Sequence, residues 1–261
     1  MNSMTFARWL ESAPSWIGSL PDGLQSFFYQ LYMTFIHADR WTWFLNGLKI
    51  TFIVTIGALL LGIIIGLIVA IIRSTHDTVQ SGKRPNIVLR ILNRISIIYL
   101  TVIRGTPMMV QLLIMGFVIM VPSTDTQTIL CGIITLGINS GAYVAEIARS
   151  GIMSISVGQS EAGRSLGLNY IQTMRYIIIP QAFKNILPAL GNEMITLLKD
   201  TSLVSVIALR DVTKQAQNIV SLTYEPYVPY ISLAIIYLVI VIAMTKLLGI
   251  LERRMRAGDR R

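Results

Sequence analysis

The chain has 261 residues, with 22 Lys or Arg against 13 Asp or Glu, a net charge of +9, 53% hydrophobic residues and a mean hydropathy of +0.63. Its charged fraction of 13% is about half the roughly 25% of an ordinary soluble domain, and a soluble fold could hide so much apolar matter only by stripping its surface of charge. A single cysteine, Cys131, and two histidines, His37 and His76, exclude an internal disulfide framework and leave poor material for a metal cluster.

Residues 1–20 contain Glu11 and Pro14 and lack an uninterrupted apolar core, so no cleavable signal is expected and the first span would act as an uncleaved one. From Leu24, apolar residues recur at Phe27, Phe28, Leu31, Tyr32 and Phe35, a helical stripe too short to span. The 1–43 segment therefore reads as extracytoplasmic, with an interfacial amphipathic helix and an aromatic anchor at Trp41 and Trp43. A docking platform for an outside partner is the alternative.

The region 44–252 reads as an all-α membrane domain with five core crossings, since about 20 apolar helical residues span the hydrocarbon. They are expected at about 44–72, 100–121, 127–150, 185–208 and 228–250. In the first, Gly57, Gly62 and Gly66 suit close helix packing, with a hinge as the alternative reading. The stretch 87–121 would measure about 52 Å as one rod, so 87–103 reads as a tilted or interfacial lead-in, with a bend at Gly105–Pro107. Orientation follows from charge. Fourteen Lys or Arg lie in loop 73–94, segment 149–184 and the tail 253–261, against four (Arg8, Arg40, Arg210 and Lys214) on the other side. That bias puts the N-terminus outside and the C-terminus in the cytoplasm, and it accounts for the basic excess without a nucleic-acid partner.

Between spans three and four, residues 151–183 stay in the cytoplasm. Ser160 is placed to cap a helix starting at Glu161, and Gly167 to end it in a left-handed conformation after fewer than two turns. Asn169 caps a second helix through about Ile178, with Pro180 as its limit. Ala162 and Gly163 leave the first helix a face small enough for another protein's backbone to approach.

The pattern Glu161-Ala162-Gly163, then Gly167, Ile177 and Pro180, resembles the EAA loop of ABC-importer permeases, with Gly163 standing for the second Ala and Ile179 for a Leu. Arg104-Gly105-Thr106-Pro107-Met108-Met109-Val110-Gln111 is similar to the RGTPLLVQ signature of the polar amino-acid branch. So are the 139–146 stretch and the Lys199-Asp200-Thr201-Ser202-Leu203 turn to their counterparts. These four collinear motifs cover roughly 45–255. The resemblance implies a type I ABC-importer permease fold in a multi-pass subunit of the cytoplasmic membrane. It implies two ABC ATP-binding subunits, a second permease subunit, identical or homologous, and an extracytoplasmic amino-acid-binding protein. ATP and Mg would be bound by the partner ATPase subunits. This chain has no GxxxxGK[ST], so no cofactor and no catalysis are expected of it.

For ATPase coupling the resemblance points to Glu161, Ala162, Gly163, Gly167 and Pro180. Ionisable residues inside a span are functional candidates by default, so the substrate pathway is assigned to Arg104, Asn139, Tyr143, Glu193, Thr196, Lys199 and Asp200. Glu193 and Asp200 are seven apart on one helical face, with Thr196 between them. Either they meet a substrate cation, or Lys199 and Asp200 sit solvated or paired near the outer boundary. Arg104 either pairs with a carboxylate, such as Glu146, or snorkels and caps the bend. Asn139, Ser140 and Tyr143 offer hydrogen bonds that packing also uses, and Glu146 with Arg149 reads as an intrahelical pair. The rival readings are a secondary amino-acid transporter, which five spans without a repeat disfavour, and an intramembrane enzyme, which lacks a nucleophile–base set.

Overall fold

The computed structural model describes residues 5–80 and 86–257, and among these the regular elements are all helical. The basic residues expected at Lys83, Arg84, Arg260 and Arg261 lie outside the described residues. The chain divides into two compact units, one comprising 1–51 and 210–240, the other 52–209 and 241–261.

In the first unit, α1 (Phe6–Ser12), α2 (Ser15–Gly18) and α3 (Asp22–Leu31) precede a π turn over Tyr32–Ile36. The aromatic stripe of α3 is partly used inside the unit: Tyr29 meets Phe6 edge-on at 5.3 Å and lies 5.3 Å from buried Trp9. The start of α4 (Trp41–Gln80) crosses α11 (Val212–Thr223) closely. A Cβ at Gly47 would lie 2.7 Å from the Val212 Cα, so only hydrogen fits. Phe44, Val212, Ala216 and Ile219 form the core there, covered by Leu233, Ile236 and Tyr237 of α12 (Tyr227–Ala257).

The second unit holds the rest of α4, α5 (Ile87–Gly105), α6 (Met108–Ile114) with a π turn to Ile119, and α7 (Asp125–Met153). The short α8 (Val157–Ser165) and α9 (Tyr170–Thr173) follow, then α10 (Ile179–Asp200), which tightens into 3₁₀ turns over Thr201–Ile207. Here α4 and α7 meet along glycines, as the sequence suggested for span one. A Cβ at Gly66 would lie 2.6 Å from Val144 Cβ, one at Gly62 3.0 Å from Ser140 Oγ, and one at Gly137 2.7 Å from Leu61 Cδ2. Small residues are what allow this in a bilayer, where lipid competes equally for apolar side chains.

Among the described residues, three helices are long and apolar enough to cross a membrane: Trp41–Asp77, Asp125–Met153 and Tyr227–Met255. Ile87–Gly105 and Met108–Ile119 qualify together, bent by 104° at the expected break, as a broken span or a re-entrant loop. The second limb alone, about 18 Å at 1.5 Å per residue, is too short for a crossing of about 30 Å. The crossing expected over 185–208 falls on α10, which ends at Asp200 and tightens into 3₁₀ turns to Ile207; it is not among the qualifying helices, and residues such as Asn185, Asn192 and Glu193 make it polar.

Candidate functional site

The bend between α5 and α6 is built by polar side chains. Thr106 Oγ1 donates to the Val102 carbonyl at 2.8 Å, and Gln111 Nε2 donates to Ile103 O at 2.8 Å and Thr106 Oγ1 at 2.8 Å. These bonds satisfy carbonyls that the last turn of α5 leaves without helical partners. Gln111, not Arg104, therefore caps the break, and its Oε1 accepts from Asn139 Nδ2 of α7 at 3.0 Å. The sequence signal for this role, outside the motif resemblance, is a lone amide in the apolar run Met108–Ile114.

Arg104 points elsewhere. Its guanidinium lies 5.6 Å from the Tyr143 ring centroid and 3.7 Å from Glu146 Oε1, and Arg73 of α4 approaches the same oxygen at 3.7 Å. This realises the carboxylate pairing considered for Arg104. The intrahelical Glu146–Arg149 pair does not form, since Arg149 reaches across to Asp77 of α4 at 2.9 Å. A long side chain near the end of a helix finds a better partner on its neighbour than one turn back along its own.

On α10, Glu193 Oε1 accepts from Ser140 Oγ of α7 at 2.7 Å. Glu193, Thr196 and Asp200 join Arg104, Asn139 and Tyr143 around one open cavity of about 510 Å³. Such a volume falls in the roughly 300–1,000 Å³ range of small-molecule sites. Six of the seven residues singled out from sequence thus face a shared space. Lys199 is exposed and does not line it.

The segment between α7 and α10 differs from expectation in detail. Ser156, not Ser160, caps α8: its Oγ accepts from Gly158 N at 3.3 Å, and the helix begins at Val157 and runs nine residues. Its end follows the sequence reading. Gly167 has φ +80, Leu168 N donates to Gly163 O at 3.1 Å, and Gly167 N donates to Arg164 O at 2.9 Å. This pair of bonds is the Schellman closure. Asn169 caps α9, and Gln172 returns a bond to the Asn169 backbone at 2.9 Å. Pro180 is not a limit. It is the second residue of α10, where a missing N–H costs nothing, and a π turn over Met174–Ile178 joins α9 to α10.

Gly163 does not offer its small face outward. It is buried, and a Cβ there would lie 2.8 Å from Thr173 Cγ2 and 3.1 Å from Ile177 Cδ1. The departure from Ala at this position matches a Thr occupying the methyl's space. Glu161, Ala162 and Gly167 are exposed, beside uncovered Val157, Leu166 and Ile171.

Residues 86–257 match the family described as binding-protein-dependent transport system inner membrane component. The glutamine transport system permease protein GlnP of Escherichia coli K12 is 35% identical over 214 residues, 81% of this chain and 92% of that protein. The arginine transport system permease protein ArtQ of Bacillus subtilis 168 is 36% identical over 216 residues, 82% and 93% of the two chains. A crystallised amino acid ABC transporter with histidines superposes at TM-score 0.72 with 43% identity, covering 82% of this chain and 94% of that one. The inward-facing MetNI methionine ABC transporter, at 19% identity and TM-score 0.65, shares the fold. The all-helical architecture is that of type I ABC-importer permeases. This chain belongs to the binding-protein-dependent transport system inner membrane components, multi-pass permease subunits of ABC importers and not their catalytic ATPases.

Proposed function

We propose that this chain forms the membrane passage of an importer for polar amino acids, driven by ATP hydrolysed on separate subunits. The observation that carries this reading is the convergence of Arg104, Asn139, Tyr143, Glu193, Thr196 and Asp200 on one cavity of about 510 Å³. A guanidinium and two carboxylates around one space suit a ligand bearing both carboxylate and ammonium. The relatives named for glutamine and arginine transport support the same substrate class.

In this reading five crossings place the N-terminus outside and the C-terminus in the cytoplasm, and α10 is the polar fourth crossing. The 1–43 segment lies on the outer face and 253–261 forms a basic cytoplasmic tail. Two ATP-binding subunits holding ATP and Mg dock beneath, a second permease subunit completes the passage, and an extracytoplasmic binding protein delivers the amino acid. Coupling runs through α8. Exposed Glu161 and Ala162 meet the ATPase, the Gly167 closure fixes the angle to α9, and the continuity of α9 with α10 past Pro180 carries displacement to the residues lining the cavity.

Gly167→Asp tests the coupling. The strained left-handed backbone and added charge are expected to abolish ATP-coupled amino-acid uptake by the assembled complex, or its assembly. Full uptake with intact assembly would sink the proposal.

A further inference from the structure

In the first unit, α1–α3 enclose an open cavity of about 430 Å³, set between the α1–α2 corner and α3 with its π turn. The family match begins at residue 86, so this cavity lies outside it. Its frame is fixed at both ends. Trp9 packs on Tyr29 at 5.3 Å and joins α1 to α3, and Trp16 meets Phe28 edge-on at 5.4 Å and joins α2 to α3. Gln25 Nε2 donates to the Leu20 carbonyl at 2.7 Å, which holds the turn between α2 and α3. Rings this wide keep the two layers apart, so the space between the clasps stays open.

The walls are apolar. Trp9, Ala13, Ile17, Phe28, Leu31 and Phe35 line them, and among the described residues no charged side chain does. Ser12 also lines the space, but its hydroxyl is already given to the Trp9 carbonyl at 2.8 Å. A polar or ionic ligand would lose its hydration there with nothing offered in return, and left empty the walls would forgo their dispersion contacts. The position in the chain supplies an apolar occupant. Phe35, one of the walls, lies 5.4 Å ring to ring from Phe44, in the first turn of the crossing helix that begins at Trp41. The residues that follow these two rings, Ile36 at the rim and Leu45 on α4, are 64% and 55% exposed. The rim is thus continuous with the apolar surface that α4 turns to lipid.

We propose that this cavity holds one acyl chain of a membrane phospholipid, drawn from the leaflet in which α4 begins, and that the chain pins α1–α3 to the bilayer surface. At roughly 30 Å³ per methylene, about what one water takes in the liquid, the space accepts on the order of a dozen carbons. Phospholipid stands beside the rim in great excess, so mass action fills the site without tight binding. The proposal needs only that α4 crosses a membrane, and it goes beyond the transport reading.

The test places the photoreactive residue p-benzoyl-L-phenylalanine at Ile36, on the rim, in the full chain. Leu24, exposed on α3 and outside the cavity, is the control position. The assembled permease–ATPase complex is illuminated in vesicles of dioleoyl phosphatidylethanolamine and phosphatidylglycerol, and its adducts are identified by mass spectrometry. A phospholipid adduct is expected at position 36 in about fivefold or greater yield than at position 24, since a pocket encloses most of its ligand and an open surface does not. Ala13→Trp, which fills the cavity from the end of α1, is expected to bring the yield at 36 down to that at 24. Equal yields at the two positions without that substitution overturn the proposal, because ordinary surface lipid then accounts for both. A yield at 36 that Ala13→Trp leaves unmoved in an assembled complex overturns it as well. Illumination of whole cells is expected to give the same lipid adduct, and a cross-link from position 36 to another polypeptide in its place overturns the proposal in favour of a protein partner. If Ala13→Trp does not assemble, the comparison of the two positions still decides.

Discussion

Thr173 is buried, its Oγ1 has no hydrogen-bond partner among the described residues, and its Cγ2 occupies the space that a methyl on residue 163 would need. Gly163→Ala therefore sets a gain of about 1 kcal/mol in helix propensity against overpacking that typically costs about 1–3 kcal/mol. The expected net is a destabilised complex, and Thr173→Ala in the same chain is expected to restore it. A double-mutant cycle on thermal unfolding should show coupling above about 0.5 kcal/mol. Asp211 is a second local case. It caps α11, accepting from Lys214 N at 2.8 Å and Thr213 N at 3.1 Å, yet burial raises its pKa to about 6 despite those bonds. Because the folded carboxyl holds its proton more tightly than the unfolded one, its contribution is full in acid and is lost as pH rises from about 4 through about 6. The loss is on the order of 3 kcal/mol. Asp211→Asn keeps the acceptor without the charge, so unfolding temperatures measured from pH 4 to 8 should flatten relative to the unaltered protein.

At the scale of elements, the α4–α7 contact tolerates almost no added volume. Gly66→Leu would drive a branched chain into Val144 and toward the Ala145 backbone N, which an added Cβ alone approaches to 2.9 Å. Loss of about 3 kcal/mol or more is expected from such overpacking, read as failure to recover monodisperse protein from membranes. Gly249→Ala is the control: it has open space, and in a helix interior it should stabilise by up to about 1 kcal/mol. The α8–α9 hinge shows how closely matched local signals are resolved. Ser160 and Ser156 both qualify as caps, and Ser156-Val157-Gly158-Gln159 also fits the S-x-x-Q pattern. The earlier serine prevails, which gives α8 another turn to pack Gly163 against Thr173.

For the whole molecule, the proposed topology is open to a direct check. With Cys131 replaced by Ala, a cysteine at Ser12 should react with an impermeant maleimide in intact cells. One at Glu252 should react only after permeabilisation, and the reverse pattern would invert the orientation. What was legible in the chain was whatever depends on local chemistry: apolar runs, the break at Gly105–Pro107, the left-handed Gly167, and the polar residues that meet around the cavity. Pairings made across elements were not. Arg149 choosing Asp77, Gln111 tying the bend to Asn139, and Thr173 filling the place of a methyl each depend on neighbours far away in sequence. The crossing expected over 185–208 from its apolar residues falls on a helix whose asparagines and charges make it polar, and it is not among the helices apolar enough to span.

The seam between α4 and α7 has a mechanical consequence. Where main chains nearly touch, there are few rotatable groups to absorb sliding, so the two rods behave as one strut. A passage that opens to each side in turn must swing about that strut rather than deform it. The yielding part is then one already interrupted, the 104° corner at Thr106.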